Sequence, residues 1–520
     1  MNRPTLAHGL VAMAGLAVWL FLVASPLAIT AAVTADHWAM AGRVYAPQTL
    51  HSLIARSIGL AVAVAFGAVV LGYIPGRVLA TADRGRTWLL WLMLVPILWP
   101  QYVTCYAWSL LLGPTAPLGW LVASQSADEN QVVRAAVACF VQVLWCWPLA
   151  ALIIARGRQC VRSDTPGIQA AGQQGRMPTL AAICRPLGQS VAVAFAVCFV
   201  LALCQYDAFS IAGVRTYGTE LVAIYKATGS TESVARASWP LVAVAVAMAI
   251  VLRRRTWLID ATCHTADAHS TVSRIQWAAL ATVLILSLAV PVMLLLMGIC
   301  KGDLPGSSCR PDRAGLVNAL AAAVLAAGLA LSMAAAAVVL ERSGRWAAIV
   351  SRLMQVSLIA AAFIPGALVG VALLEAAPAA PSMVWLMDRW PAVAFGQAVR
   401  FAGLAVLLFL VARSQIDRGR LATPCDDPVG TDDFPQRRPW WPVVWRASAS
   451  VLLLVAALSV VELSATMLLR PPGAPHSTQW LFSLMQRHPD GLASVSCLLL
   501  MVATLPVSGL VALLWRSPRP

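Results

Sequence analysis

Apolar residues run along this 520-residue chain in stretches of membrane-spanning length, separated by short polar segments. Crossing the hydrocarbon takes about 20 apolar residues per helix. The runs predict twelve helices. In the first half they lie near 9–32, 54–76, 88–112, 132–155, 187–211 and 238–252, the last starting earlier, around Val234. In the second they lie near 277–299, 314–340, 347–374, 391–412, 443–467 and 492–515. The expected fold is an all-α polytopic membrane protein. The run from Gly9 to Val33 is long for a signal-peptide core and lacks a small-x-small cleavage site, so it is expected as a retained span. Pro96, Pro100, Pro148 and Pro365 fall within predicted spans and are expected to kink them. Small residues crowd 314–340 and the surroundings of Gly366 and Gly370, a composition suited to close helix packing.

The polar segments carry a second pattern. Pro186 and Pro442 stand 256 residues apart, and each opens a span after a basic loop. From Pro186 to Gln205 is 19 residues and from Pro442 to Glu462 is 20, which aligns Leu201-Ala202-Leu203-Cys204-Gln205-Tyr206 with Leu458-Ser459-Val460-Val461-Glu462-Leu463. Residues 1–252 and 276–520 are therefore expected as two parallel six-helix repeats, related by an axis along the membrane normal. The polar stretch 253–275, opening on Arg253-Arg254-Arg255, is the expected linker.

Composition agrees with membrane insertion. The chain is 60% hydrophobic and 11% charged, with a mean hydropathy of +0.77, against about 25% charged in a soluble domain. The net charge of +15 would suit nucleic acid were it gathered on a domain. Here the basic residues sit in short loops between spans. With the N-terminus in the cytoplasm, 24 arginines and 10 acids fall on the inner side, as the excess of positive charge in cytoplasmic loops requires. Topology thus accounts for the charge, and nucleic acid is not an expected partner.

Catalytic chemistry has no obvious seat. The chain holds no G-x-x-x-x-G-K-[ST] phosphate loop, no H-E-x-x-H and no G-x-S-x-G. Six of the twelve cysteines fall in spans, at Cys105, Cys139, Cys146, Cys198, Cys204 and Cys497, and read as small packing residues. Cys300 and Cys309 share one outer loop, where a disulfide is possible. Cys263, His264 and His269 in the linker match no zinc spacing. No metal site and no cofactor are expected, and the chain is not expected to be an enzyme.

Two cytoplasmic loops carry the more specific signal. The first has Gln169-Ala170-Ala171, three residues, Gly175, then Ile183 and Pro186. It resembles the "EAA" coupling loop of ATP-binding cassette importer permeases, with Gln169 in place of the glutamate and Arg185 in place of a leucine. Small side chains let a short helix enter a cleft of another protein, and the glycine permits a tight turn after it. The second loop keeps Asp427, Gly430 and Pro442, with Pro428 interrupting the helix start. After it, Glu462-Leu463-Ser464-Ala465-Thr466-Met467-Leu468-Leu469-Arg470-Pro471-Pro472-Gly473 resembles fused two-repeat permeases of the ferric-iron importer group. So do Gly213-Val214-Arg215-Thr216-Tyr217-Gly218-Thr219-Glu220 and Pro100-Gln101-Tyr102-Val103.

The resemblance implies a multi-pass permease of the bacterial inner membrane whose cargo is ferric iron, or in related importers thiamine or a phosphonate. It also implies two copies of a cytoplasmic ATPase, which bind ATP and dock on the loops, and a periplasmic solute-binding protein. The polar residues Gln205, Tyr206, Asp207, Glu462, Ser464 and Thr466 are the expected lining of the translocation path, since a carboxylate in a bilayer usually faces a cavity or a partner. Arg400, inside a span, is expected to pair with an acid or a carbonyl of the bundle. An alternative class is a secondary transporter of the major facilitator kind, favoured by Gly76 and Asp83-Arg84-Gly85-Arg86 between the second and third spans.

Overall fold

A computed structural model of the chain describes residues 6–36, 47–81, 86–113, 116–120, 127–163, 180–254, 272–301, 313–379, 381–421, 441–487 and 491–515. Among the described residues every regular element is helical. In the first half these are α1 (Leu6–Trp19), α2 (Ser25–Asp36), α3 (Pro47–Thr81), α4 (Arg86–Leu98), α5 (Gln101–Ser109), α6 (Ala127–Ser163), α7 (Leu180–Leu203), α8 (Asp207–Ile211), α9 (Tyr217–Thr228) and α10 (Thr231–Arg254). The second half has α11 (Arg274–Leu284), α12 (Val290–Lys301), α13 (Arg313–Val339), α14 (Arg345–Phe363), α15 (Gly366–Ala376), α16 (Pro381–Met387), α17 (Pro391–Leu421), α18 (Trp441–Val460), α19 (Ser464–Leu469), α20 (Ser477–Arg487) and α21 (Gly491–Leu514).

Among the described residues ten helices are long and apolar enough to cross a bilayer, counting α1–α2 and α11–α12 as one each. One further pair, Thr87–Leu98 and Gln101–Leu112, is bent by 79°. Large apolar side chains stand outward, among them Phe66, Ile275 and Leu499, which are 66%, 79% and 65% exposed. Water would penalise such a surface, and lipid covers it at no cost. The chain is an all-α, multi-pass membrane protein.

Four predicted spans are broken rather than continuous. The run 88–112 divides at Trp99–Pro100, 187–211 at Cys204–Tyr206, 347–374 at Ile364–Pro365 and 443–467 at Val461–Leu463. Hydropathy registers only the apolar length and is blind to such a break. Pro96 and Pro148 stay inside helices, so of the four prolines only Pro100 and Pro365 mark breaks. Elsewhere the helices outrun the apolar stretches, as α3 and α6 do, because a helix continues past the hydrocarbon wherever its backbone bonds remain satisfied.

The interior is built from small residues. One face of α13 buries Ala319, Ala322, Ala323, Ala326, Ala330 and Ala337, and α17 and α18 pack on that helix. In the first half α6 and α7 pack on α3. The first helix crosses to the other half, where α1 lies on α13, and α11 lies on α3. Likewise α4 packs on α21, and α10 on α14. Both crossing helices contain a π-helical turn, Leu20–Ala24 and Ile285–Ala289, with a proline following each at Pro26 and Pro291. Close approach is literal at Gly72 and Gly76: an added Cβ would stand 2.7 Å from the Trp147 carbonyl oxygen and 2.8 Å from that of Ala151. Replacing Gly76 with leucine is expected to cost about 1–3 kcal/mol by overpacking the α3–α6 contact. The check is a lowered thermal midpoint in detergent, with Gly59→Ala, a site with nothing within 4 Å, left unchanged.

Candidate functional site

The four breaks meet. Pro100 heads α5 with φ −61° and ψ 130°, and Pro365 heads α15 with φ −52° and ψ 133°. A proline lacks the N–H that a continuous helix would use and drives the residue before it to extended backbone, as Ile364 shows with ψ 139°. The other two breaks contain no proline. Tyr206 precedes α8 with φ −108° and ψ −49°, and Leu463 precedes α19 with φ −102° and ψ −47°. Residues from all four breaks line one cavity of about 410 Å³: Trp99 to Tyr102, Cys204 with Gln205 and Asp207, Phe363 with Ile364, and Val461 with Glu462.

Glu462 is the most heavily bonded side chain of the site. Its carboxylate accepts from the backbone N–H of Ala465 at 3.1 and 3.0 Å, from that of Thr466 at 3.2 Å and from the Ser464 hydroxyl at 2.7 Å. Those N–H groups open α19 and have no partner within the helix, so the carboxylate serves them as a cap and meets the positive end of the helix dipole. The Arg400 guanidinium, from α17, donates to Glu462 and to Ser464 as well. Glu462 is 2% exposed and Arg400 19%, so the arginine is the member of the pair nearer the open volume. One turn before it, Gln397 donates to the Ser459 carbonyl at 2.9 Å and to Thr466 Oγ1 at 3.2 Å. Thr466 donates in turn to the Glu462 carbonyl at 2.8 Å. Gly366 makes room for the cluster, because a Cβ there would overlap the Arg400 guanidinium, the Glu462 carboxylate and the Ser464 hydroxyl.

The first half contributes polar atoms of the opposite character. Gln101 Oε1, the Tyr102 hydroxyl, Gln205 Nε2 and Asp207 Oδ1 are buried, and none has a hydrogen-bond partner among the described residues. Of the residues expected along the path, Gln205, Asp207 and Glu462 line the cavity. Ser464 and Thr466 stand behind Glu462 and hold it. Tyr206 packs into an apolar cluster with Val222 and Ala367. Arg400 pairs with an acid of the bundle and also lines the cavity, a role its isolation in an apolar run does not reveal. Trp99 and Trp145 complete the aromatic wall, and Trp99 is fixed by donating to the Met501 carbonyl at 3.2 Å.

A second charged group joins the halves at the far end of the cavity, next to Leu252 and Val411 of its wall. Glu341 pairs with Arg413 and lies 3.7 Å from Arg253. Arg253 donates to Gln355 at 2.9 Å, and Gln355 donates to the Ala337 carbonyl at 3.0 Å. This ties the end of α10 to α13, α14 and α17. On the opposite side, His476 lies in the connection between α19 and α20, outside the spans. Burial lowers its imidazole to about 4, against the raising effect of Glu462, which leaves the ring neutral at pH 7.

Of the loop residues, Gln169, Ala170, Ala171, Gly175, Asp427 and Gly430 lie outside the described residues, as do Cys309, Cys263, His264, His269 and Asp83-Arg84-Gly85. Ile183 and Pro186 fall in the opening turns of α7, and Pro442 is the second residue of α18. Among the described residues no group of three His, Cys, Asp or Glu is placed to hold a metal ion. No protein-family model, curated protein or solved structure matches the chain, so the case for a function rests on this geometry.

Proposed function

We propose that the chain is the membrane-spanning permease of an ATP-binding cassette importer, built as two parallel six-helix repeats with the translocation path between them. The observation that carries the reading is the convergence of four helix breaks on one cavity. Pro100 and Pro365 stand 265 residues apart, as do the two π-turns, and the near-identical backbone before α8 and α19 recurs 257 residues on. Broken helices at the interface of repeats are where membrane transporters expose backbone and polar side chains to cargo. The proposed count of twelve crossings takes the ten long helices, the bent α4–α5 pair and the shorter α7.

In this reading the N-terminus is cytoplasmic and the membrane is the bacterial inner membrane. Two copies of a separate ATPase grip the loops around 168–186 and 426–442, and a periplasmic solute-binding protein delivers cargo to the outer mouth. ATP is bound by the ATPase and not by this chain. Closure of the ATPase draws the two loops together, the halves rock about their common axis, and the path opens outward. The cluster of Arg253, Glu341 and Arg413 lies where such rocking would part the first half from the second. Gly76, shared with the major facilitator pattern, is accounted for by its contact with α6.

The test is reconstitution with a candidate ATPase and solute-binding protein from the same organism. ATP-driven uptake is expected, and Gly175→Trp is expected to abolish it while the protein still inserts. Uptake on an ion gradient with no nucleotide hydrolase present would overturn the assignment.

A further inference from the structure

We propose that the cavity where the four breaks meet binds a cationic organic solute, and that Asp207 is the carboxylate that recognises its charge. That this solute is the cargo rests on the permease reading; that it binds does not.

Charge is the first argument. Three acidic or basic side chains line the cavity, Arg400, Glu462 and Asp207. Glu462 is saturated by Arg400, Ser464 and two backbone N–H groups, so this pair is neutralised within the protein. Asp207 is left over, with a buried Oδ1 that no donor reaches. A carboxylate at such depth is costly unless a positive charge joins it. Arg400 is the one basic residue among those lining the cavity, and it is engaged. An anionic solute therefore finds no free cation in this wall.

The remaining wall decides what kind of cation. Gln101 Oε1 is an unpartnered acceptor of the same wall and the Tyr102 hydroxyl, able to accept or donate, is unpartnered too, these residues being 9% and 1% exposed; Gln205 Nε2 and Trp145 Nε1 are unpartnered donors there. With Asp207 Oδ1 the first two give three unpartnered side-chain oxygens, too few for a hard metal ion, which takes six or more oxygen ligands or several carboxylates. The rest is apolar, with Leu149, Leu152, Ile153, Leu404 and Leu407 on one stretch and the rings of Trp99, Trp145 and Phe363 nearer the breaks. Aromatic faces attract an ammonium or a ring cation once it is desolvated. A volume of about 410 Å³ suits a small molecule and is far larger than an ion. A quaternary or heteroaromatic nitrogen on an apolar body suits the carboxylate, the rings and the volume; ferric ion matches the carboxylate alone.

The experiment is calorimetric titration of the full chain, purified in dodecyl maltoside without partners. The probes are benzyltrimethylammonium, neutral benzyl alcohol, anionic phenylphosphonate and ferric citrate. The ammonium is expected to bind at least tenfold more tightly than each of the other three, and Asp207→Asn to weaken it at least tenfold. A smaller margin over any of the three overturns the proposal, and that comparison needs no variant. Unchanged ammonium affinity in a folded Asp207→Asn protein overturns it equally. Tyr102→Phe, which removes one acceptor and keeps the ring, is expected to weaken the ammonium without loss of fold. Because the titration uses no nucleotide, the two readings fail separately. Binding without ATP-driven uptake by the reconstituted assembly removes the permease assignment alone, and uptake without ammonium binding removes this site alone.

Discussion

Replacing Arg400 with methionine is expected to destabilise the chain by about 3–5 kcal/mol and to abolish transport, the first because a buried carboxylate is left without its cation. Glu462 is 2% exposed and lies under α19, whose first N–H groups it caps. Methionine keeps much of the side-chain volume, so the loss reports charge rather than a cavity. The double variant Arg400→Met with Glu462→Gln is expected to recover much of the deficit, since the amide oxygen still accepts from Ala465 and Thr466 while no charge remains. Residues in one bonded network couple by about 0.5–3 kcal/mol. Thermal unfolding of the four proteins in detergent gives the cycle. Equal stability of Arg400→Met and the native protein would show that the pair does not hold the break.

Gly366→Val is expected to be as damaging, for a steric reason. Its Cβ would occupy the position of the Arg400 guanidinium and crowd both Glu462 and Ser464. Those atoms belong to bonded groups on α17 and at the α18–α19 break, and they cannot yield without losing the ion pair. Overpacking of about 1–3 kcal/mol then adds to the loss of the pair. Gly370→Ala, one helical turn on, meets the Leu468 Cβ at 3.2 Å, and is expected to cost well under half as much. Gly328→Ala has nothing within 4 Å and is expected to be neutral or stabilising by about 0.5–1 kcal/mol, since alanine loses less backbone entropy in a helix. Thermal midpoints should fall in that order, and a Gly366→Val protein as stable as Gly370→Ala would mean the cluster rearranges freely.

Much of the site was legible in part. Gln205, Asp207 and Glu462 stand out because polar residues in apolar runs need a reason to be there. Their roles differ in ways spacing does not express: Glu462 is bonded on all sides, whereas Asp207 and Gln205 are not. Gln101 and Tyr102 are visible in sequence only as neighbours of Pro100, and their place in the wall depends on the bend of 79° that follows that proline. Tyr206, between Gln205 and Asp207, turns into apolar packing with Val222 and Ala367 and does not line the cavity.

Membrane insertion, helical class and the approximate places of the crossings followed from the chain alone, since in hydrocarbon each backbone group must be satisfied within its own helix and apolar length then sets the span. The sites where a helix stops in mid-span, and the meeting of four such stops around one open volume, were decided only by tertiary structure. A break is tolerated there because groups hundreds of residues away supply the missing bonds, as α17 does for the turn at Glu462, and no local pattern records a partner so distant.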